Sequence, residues 1–219
     1  IKEENEFQKL WKKEDLIASN NHAVFEKSCI WSDLKAHYIL QKYLKDNFII
    51  QMGNSTSVRY IQLFDTKKNL SYFGNRGISG IEGSTSTALG SASVHSKTNI
   101  LITGDLSFIY DQNGLWNNHI PNNLKLFVFN NQGGGIFKII SGPKNTPFLE
   151  EYFETKHELS LKSIAQTHHL NYHCAKNEKE AEQIIPSVLE SNQFEIVEFF
   201  TGNVENEKIL NDYFSVIKK

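Results

Sequence analysis

Two short segments carry the residues best suited to chemistry: Gly104-Asp105-Leu106-Ser107 and Asn130-Asn131-Gln132-Gly133-Gly134. Each closes an apolar run, Thr98 to Thr103 before the first and Leu124 to Phe129 before the second. A carboxylate and a carboxamide thus arrive at the ends of two buried strands, where open α/β sheets bind ligands. Asp and Asn present hard oxygens, the type Mg²⁺ prefers, and Mg²⁺ usually joins few protein ligands to a phosphate. The glycines let backbone amides come close to a diphosphate.

Delivering these groups requires strands alternating with helices. A helical pattern covers residues 2–18 through Phe7, Leu10, Trp11, Leu16 and Ile17, with Asn20-Asn21 as its break. Ser32 reads as an N-cap for a helix from Asp33 to about Asp46. Further helices are expected at 55–64, 84–93, around 110–118, from 160, at 178–191 and at 205–218. Strands are expected at 47–51, 70–73, 98–103, 124–129, 171–174 and 194–200, and the alternation implies a parallel sheet flanked by helices. A glycine-rich loop, Gly74 to Gly83, leads into a small-residue helix, and 133–158 reads as a long irregular segment with Pro143 and Pro147 as breakers. The division expected is a helical lead-in over 1–46 and one α/β domain over 47–219.

Composition sets the limits. The chain has 219 residues, 39% hydrophobic and 22% charged, with net charge −2, as for an ordinary globular protein, and nothing basic points to nucleic acid. No apolar run is long enough to span a membrane. Cys29 and Cys174 are too few and too far apart for a disulfide framework or zinc site, so a reducing cytoplasm is the expected location. Residue 1 is Ile and Met52 is the single methionine, so a piece of a longer chain is expected.

The Gly-Asp segment followed one strand later by Asn-Asn resembles the thiamine-diphosphate motif. Together with Gly53-Asn54-Ser55, Arg59, Asn75-Arg76-Gly77, Ser79 to Gly83 and Gly133 to Phe137, it resembles the family of 2-succinyl-5-enolpyruvyl-6-hydroxy-3-cyclohexene-1-carboxylate synthases. The likeness is strong over 47–142. Leu106 departs from the glycine of the wider superfamily and agrees with this family. The resemblance implies a thiamine-diphosphate-binding fold, specifically the diphosphate-binding domain. It also implies a transferase of menaquinone biosynthesis that joins 2-oxoglutarate to isochorismate. The Glu that activates the cofactor lies in a separate pyrimidine-binding domain of a partner subunit. The whole protein is then a homo-oligomer, dimer or tetramer, and this chain alone is inactive.

On that resemblance Asp105, Asn131 and the Gly133 carbonyl would hold Mg²⁺ or Mn²⁺, while Gly104, Leu106, Ser107 and Gly134 would complete the diphosphate cradle. Ile81 would be the apolar prop that bends the cofactor. Ser55, Arg59 and Arg76 would bind substrate, since both substrates carry two carboxylates and Arg forks grip carboxylates bidentately. Phe137 and Ile140 would be apolar walls. Asp111 is expected to cap or orient the helix after the motif. His168-His169 is set aside as a metal pair because neighbours on a helix diverge, and His157 is ranked low as a lining residue. Two alternatives stay open. One is a relative of the 2-keto acid decarboxylases or acetohydroxyacid synthases, against which Leu106 and the Arg59–Arg76 pair argue. The other is a non-catalytic diphosphate-binding module.

Overall fold

A computed structural model describes residues 5–64, 69–202 and 205–217 of the chain. The elements are α1 (Glu6–Ser28), α2 (Asp33–Tyr43), β1 (Ile49–Met52), α3 (Thr56–Ile61), β2 (Ser71–Gly74), α4 (Ser84–Val94), β3 (Asn99–Gly104), α5 (Asp105–Tyr110), β4 (Leu124–Asn130), α6 (Leu161–Thr167), β5 (Asn171–Ala175), α7 (Glu178–Glu190), β6 (Glu195–Phe200) and α8 (Asn206–Ile217).

The strands form one six-stranded sheet in the order β2-β1-β3-β4-β6-β5, and every pairing is parallel. The α/β fold with a parallel sheet flanked by helices is therefore as the alternation implied. Parallel strands must bury both faces, and alternation along β3 and β4 does this. Ile100, Ile102, Phe127 and Phe129 pack against α2 and α7 through Ala36, Ile39, Leu40, Ala181, Ile185 and Val188. Leu101, Leu126 and Val128 face the other way, onto Ala88, Leu89 and Ala92 of α4 and onto Leu161 and Ala165 of α6. The small side chains of α4 are its packing surface. From β1 the chain crosses to β2 on one side and then to β3 on the other. That reversal opens a crevice at the carboxyl ends of β1 and β3.

Two local readings are corrected. The helix α1 runs through Asn20-Asn21 without a break, because Asn21 Nδ2 donates to the Val216 carbonyl at 3.2 Å and His22 Nδ1 meets the Tyr213 hydroxyl at 2.9 Å. These contacts with α8 outweigh the low helix preference of Asn. The helix expected around 110–118 instead begins on the motif at Asp105 and ends at Tyr110, followed by a short 3₁₀ turn over Gln112–Leu115. Gly104 is extended at φ −85° and ψ 164°, so helical backbone starts with the acidic residue its first turn favours. Asp111 caps the helix after the motif, as expected: its N–H donates to the Ser107 carbonyl at the end of α5 at 3.2 Å, and its two carboxylate oxygens accept from Ser86 N and Ser86 Oγ of α4, both at 2.7 Å. The Ser32 cap of α2 is formed, its hydroxyl accepting from Lys35 N at 3.2 Å. Residues 2–4 and 218 of the helix readings lie outside the described residues.

Candidate cofactor and metal site

The parallel sheet brings one turn from each of β1, β2, β3, β4 and β6 to the same edge, and the residues singled out by the sequence lie there. Asp105 begins α5 directly after β3 and is buried. Its Oδ1 accepts from Leu106 N at 2.7 Å, and its Oδ2 accepts from Gly133 N at 3.0 Å. The two halves of the motif are therefore joined by a hydrogen bond. Ser107 lies inside the first turn of α5, and its hydroxyl donates to the Ile81 carbonyl at 2.5 Å. That contact ties the end of the glycine-rich loop to the motif.

Asn131 follows β4. Its Nδ2 donates to Asp33 Oδ2 at 2.8 Å, whereas its Oδ1 is buried without a hydrogen-bond partner. A buried amide oxygen without a protein partner calls for an explanation, and coordination of a hard cation is one that suits an amide oxygen. Among the described residues no group of three or more His, Cys, Asp or Glu side chains could hold a metal. The donor set available here is of another kind: a carboxylate, a carboxamide oxygen and backbone carbonyls, all hard oxygens of the type Mg²⁺ takes. The residues present fit such an ion.

Gly133 and Gly134 are glycines for steric reasons. A Cβ on Gly133 would stand 2.7 Å from the Glu154 carbonyl oxygen. A Cβ on Gly134 would stand 3.0 Å from the Phe137 ring and 3.1 Å from the Phe153 carbonyl. The irregular segment after residue 142 folds back here, and Gly134 N donates to the Glu154 carbonyl at 2.5 Å. Phe137 packs on Phe153 with ring centroids 5.6 Å apart. Ile140 lies further along, 36% exposed, while its neighbour Ile139 lines the adjoining cleft.

The substrate candidates lie on the β1 and β2 side. Ser55 has φ 72°, an uncommon value for a residue with a side chain. Its carbonyl accepts from Arg59 Nη1 at 2.6 Å, and Arg59 is exposed. Arg76 Nη1 donates to Asn54 Oδ1 at 2.7 Å. Asn54 is buried, and its Nδ2 donates to the Asn75 carbonyl at 2.9 Å and to the Gly80 carbonyl at 2.5 Å. Asn54 thus fastens the glycine-rich loop to the end of β1, a role its place in a Gly-Asn-Ser turn did not reveal.

Two further groups at the site, Asp33 and His37, were not singled out by sequence, and His157, ranked low as a lining residue, does line the cleft. Asp33, fully buried at the start of α2, accepts from Asn131 Nδ2 and from the Thr201 hydroxyl after β6. Burial pushes its carboxyl up to about 6, and those two hydrogen bonds pull it back. Repulsion from Asp105 adds a smaller contribution to the rise. His157 Nε2 lies 3.2 Å from Asp105 Oδ2, and this bond raises the imidazole pKa although burial opposes it. His37 sits beneath, its ring centroid 3.5 Å from that of Phe129 and 4.9 Å from that of Tyr60. Burial drives its pKa down to about 3. His168 and His169 lie at the end of α6 and take no part. An open cleft of about 660 Å³ adjoins the motif, lined by Asp33, Asn131, Lys138, Glu154, Lys156 and His157 among others.

Residues 46–199 match the model of the thiamine pyrophosphate enzyme C-terminal TPP binding domain. The chain belongs to this family. It is similar to 2-succinyl-5-enolpyruvyl-6-hydroxy-3-cyclohexene-1-carboxylate synthases: 42% identical over 91% of this chain and 35% of the protein from Christiangramia forsetii. It is 43% identical over 84% of this chain and 34% of the protein from Flavobacterium psychrophilum. For the Porphyromonas gingivalis protein the identity is 39% over 96% of this chain and 36% of that protein. The chain thus spans about a third of the length of the curated relatives it matches. No helix among the described residues is long and apolar enough to cross a membrane.

Proposed function

We propose that this chain supplies the diphosphate- and metal-holding domain of a thiamine-diphosphate-dependent synthase that decarboxylates 2-oxoglutarate and joins the product to isochorismate, a step of menaquinone biosynthesis. The observation that carries the reading is the buried, partnerless Asn131 Oδ1 on the turn that hydrogen-bonds Asp105. The names of the relatives support the substrate choice.

When bound, thiamine diphosphate supplies the chemistry of carbonyl addition and decarboxylation. The protein groups bind, orient and exclude water. Asp105, Asn131 Oδ1 and the Gly133 carbonyl would hold Mg²⁺ or Mn²⁺, and the ion offsets the diphosphate charge. Leu106 N and Gly133 N already hold the Asp105 carboxylate in one orientation. Gly104, Leu106, Ser107 and Gly134 would surround the diphosphate, with the amides of Leu106 and Gly134 already donating to Asp105 Oδ1 and to the Glu154 carbonyl. Ile81, half-buried and held through its carbonyl by Ser107, offers a stiff apolar surface to the organic part of the cofactor. Arg59 donates to the Ser55 carbonyl and Arg76 to Asn54 Oδ1 through one nitrogen each, and a guanidinium carries five N–H donors in a fork suited to substrate carboxylates. Phe137 and Ile140 stand as apolar walls. Exposed Ile78, Tyr110 and Trp116 offer apolar surface for a partner subunit to cover, in keeping with a homo-oligomer that borrows its activating Glu from elsewhere. On this reading residues 1–219 alone do not turn over, and the enzyme works in the cytoplasm.

The test is CO₂ release by the complete protein carrying this chain, with 2-oxoglutarate or pyruvate, with and without isochorismate. Preference for 2-oxoglutarate and an isochorismate-dependent product are expected. Preference for pyruvate would favour a decarboxylase or acetohydroxyacid synthase relative. Metal-dependent binding without turnover would favour a non-catalytic module.

A further inference from the structure

The partner of the Asn131 amide stands out because it comes from outside the motif and from the other end of the chain. Asp33 is 1% exposed and lies at the first turn of α2. Each of its carboxylate oxygens is committed. Oδ2 accepts from Asn131 Nδ2 at 2.8 Å, and Oδ1 accepts from the Thr201 hydroxyl, which is itself 3.4 Å from the Asn130 carbonyl. Its backbone N–H donates to Asn206 Oδ1 at 2.8 Å, and Asn206 Nδ2 donates to the Thr201 carbonyl at 3.2 Å. The carboxylate is thereby held from the turns after β4 and β6, and the Asp33 backbone from α8. The group that meets this carboxylate on Asn131 is the NH₂. The other end of the amide then faces away, and that end is the buried oxygen with no partner.

We infer that Asp33 is the positioning residue of the cation site: it fixes the orientation of the Asn131 carboxamide so that Oδ1, rather than Nδ2, is presented to the metal. The inference rests on the metal assignment proposed above and deepens it. An Asn ligand left to itself has two orientations of similar shape, and one of them points an NH₂ group at the cation. Asp33 removes that alternative before the ion arrives. Groups that orient a ligand from behind are a recurring feature of metal sites, and their loss typically weakens binding 10–100-fold. Asp33 also lines the adjoining cleft.

The experiment is a titration of Mn²⁺ followed by electron paramagnetic resonance, on the complete protein carrying this chain saturated with thiamine diphosphate. Asp33→Asn keeps an acceptor oxygen for Asn131 Nδ2, and the Thr201 hydroxyl can rotate to accept from the new amide. Asp33→Leu keeps the volume and removes the acceptor. Mn²⁺ affinity is expected within about fivefold of the parent for Asp33→Asn and at least tenfold weaker still for Asp33→Leu. Equal affinity of these two variants overturns the inference, because a merely structural carboxylate would make no such distinction. Should Asp33→Leu fail to fold, Asp33→Ala carries the same comparison. Asp105→Ala is the control for the underlying assignment: if it binds Mn²⁺ as the parent does, the metal assignment itself fails, whatever the Asp33 variants do.

Discussion

The Ser107 hydroxyl donates to the Ile81 carbonyl at 2.5 Å, joining the turn after β3 to the end of the glycine-rich loop. Ser107 is buried, whereas Ile81 is half-buried. Ser107→Ala should cost about 1–2 kcal/mol of stability from the orphaned acceptor. It should also weaken thiamine diphosphate binding severalfold, because Ile81, proposed as the apolar prop of the cofactor, loses its tether. Urea unfolding and a cofactor titration check both effects. An unchanged midpoint with unchanged affinity would show that the loop is held by other contacts.

Gly133 is required by contact. A methyl group there would stand 2.7 Å from the Glu154 carbonyl oxygen, which is backbone and cannot rotate away. Gly133→Ala should push the 149–158 segment off the Asn131 turn and break the Gly134 N to Glu154 carbonyl bond of 2.5 Å. The expected loss is about 1–3 kcal/mol. Faster proteolytic cleavage between Gly142 and Glu158 should accompany it. A variant as protease-resistant as the parent would contradict this packing.

Several of these residues were legible in the sequence, and others were not. Asp105 and Asn131 could be read because each stands at the end of a run of apolar residues, and in a parallel sheet all such ends share one edge. The small-residue helix α4 was equally plain, since Ala88 and Ala92 allow close packing on Leu101. What the sequence hid depends on approach from a distance. Asp33 looks like an ordinary first-turn acid, yet its carboxylate meets an amide 98 residues away. His157 sits in an irregular segment, and only the fold-back at Glu154 brings it to Asp105. Asn20-Asn21 looked like a helix break because contacts with α8 are invisible in local pattern.

His37 should dominate the acid limb of stability. It is neutral in the folded protein, with its pKa near 3 against an ordinary 6.5. The unfolded chain therefore takes up a proton below pH 6.5 that the folded chain refuses. The stability His37 contributes is full above that pH and is lost as pH falls toward 3. Asp33 titrates with the opposite sign between 3.8 and about 6, since its folded pKa is raised. His37→Phe, which preserves stacking on Phe129, leaves Asp33 and all other carboxylates in place. In metal-free buffer the stability of the parent minus that of the variant should fall by about 1.4 kcal/mol per pH unit from pH 6 to pH 4.5. Parallel pH profiles for the two proteins would refute the assignment of a neutral buried His37.

Arg76 is anchored at Asn54 through one nitrogen, at 2.7 Å. Arg76→Lys keeps the charge and loses the planar fork. In the complete protein it should raise the KM for 2-oxoglutarate by about tenfold or more, a loss typical of one charged hydrogen bond. The kcat should change less. Steady-state kinetics decide, and a kcat loss with unchanged KM would place Arg76 outside substrate binding.

The central claim is that Asp105 and Asn131 hold a divalent ion which in turn holds the diphosphate. Calorimetric titration of thiamine diphosphate into the complete protein, with and without Mg²⁺, for the parent and for Asp105→Ala, tests it most directly. The expected result is binding that requires Mg²⁺ and disappears in Asp105→Ala. Binding of equal strength without Mg²⁺, or undiminished in Asp105→Ala, would contradict the account.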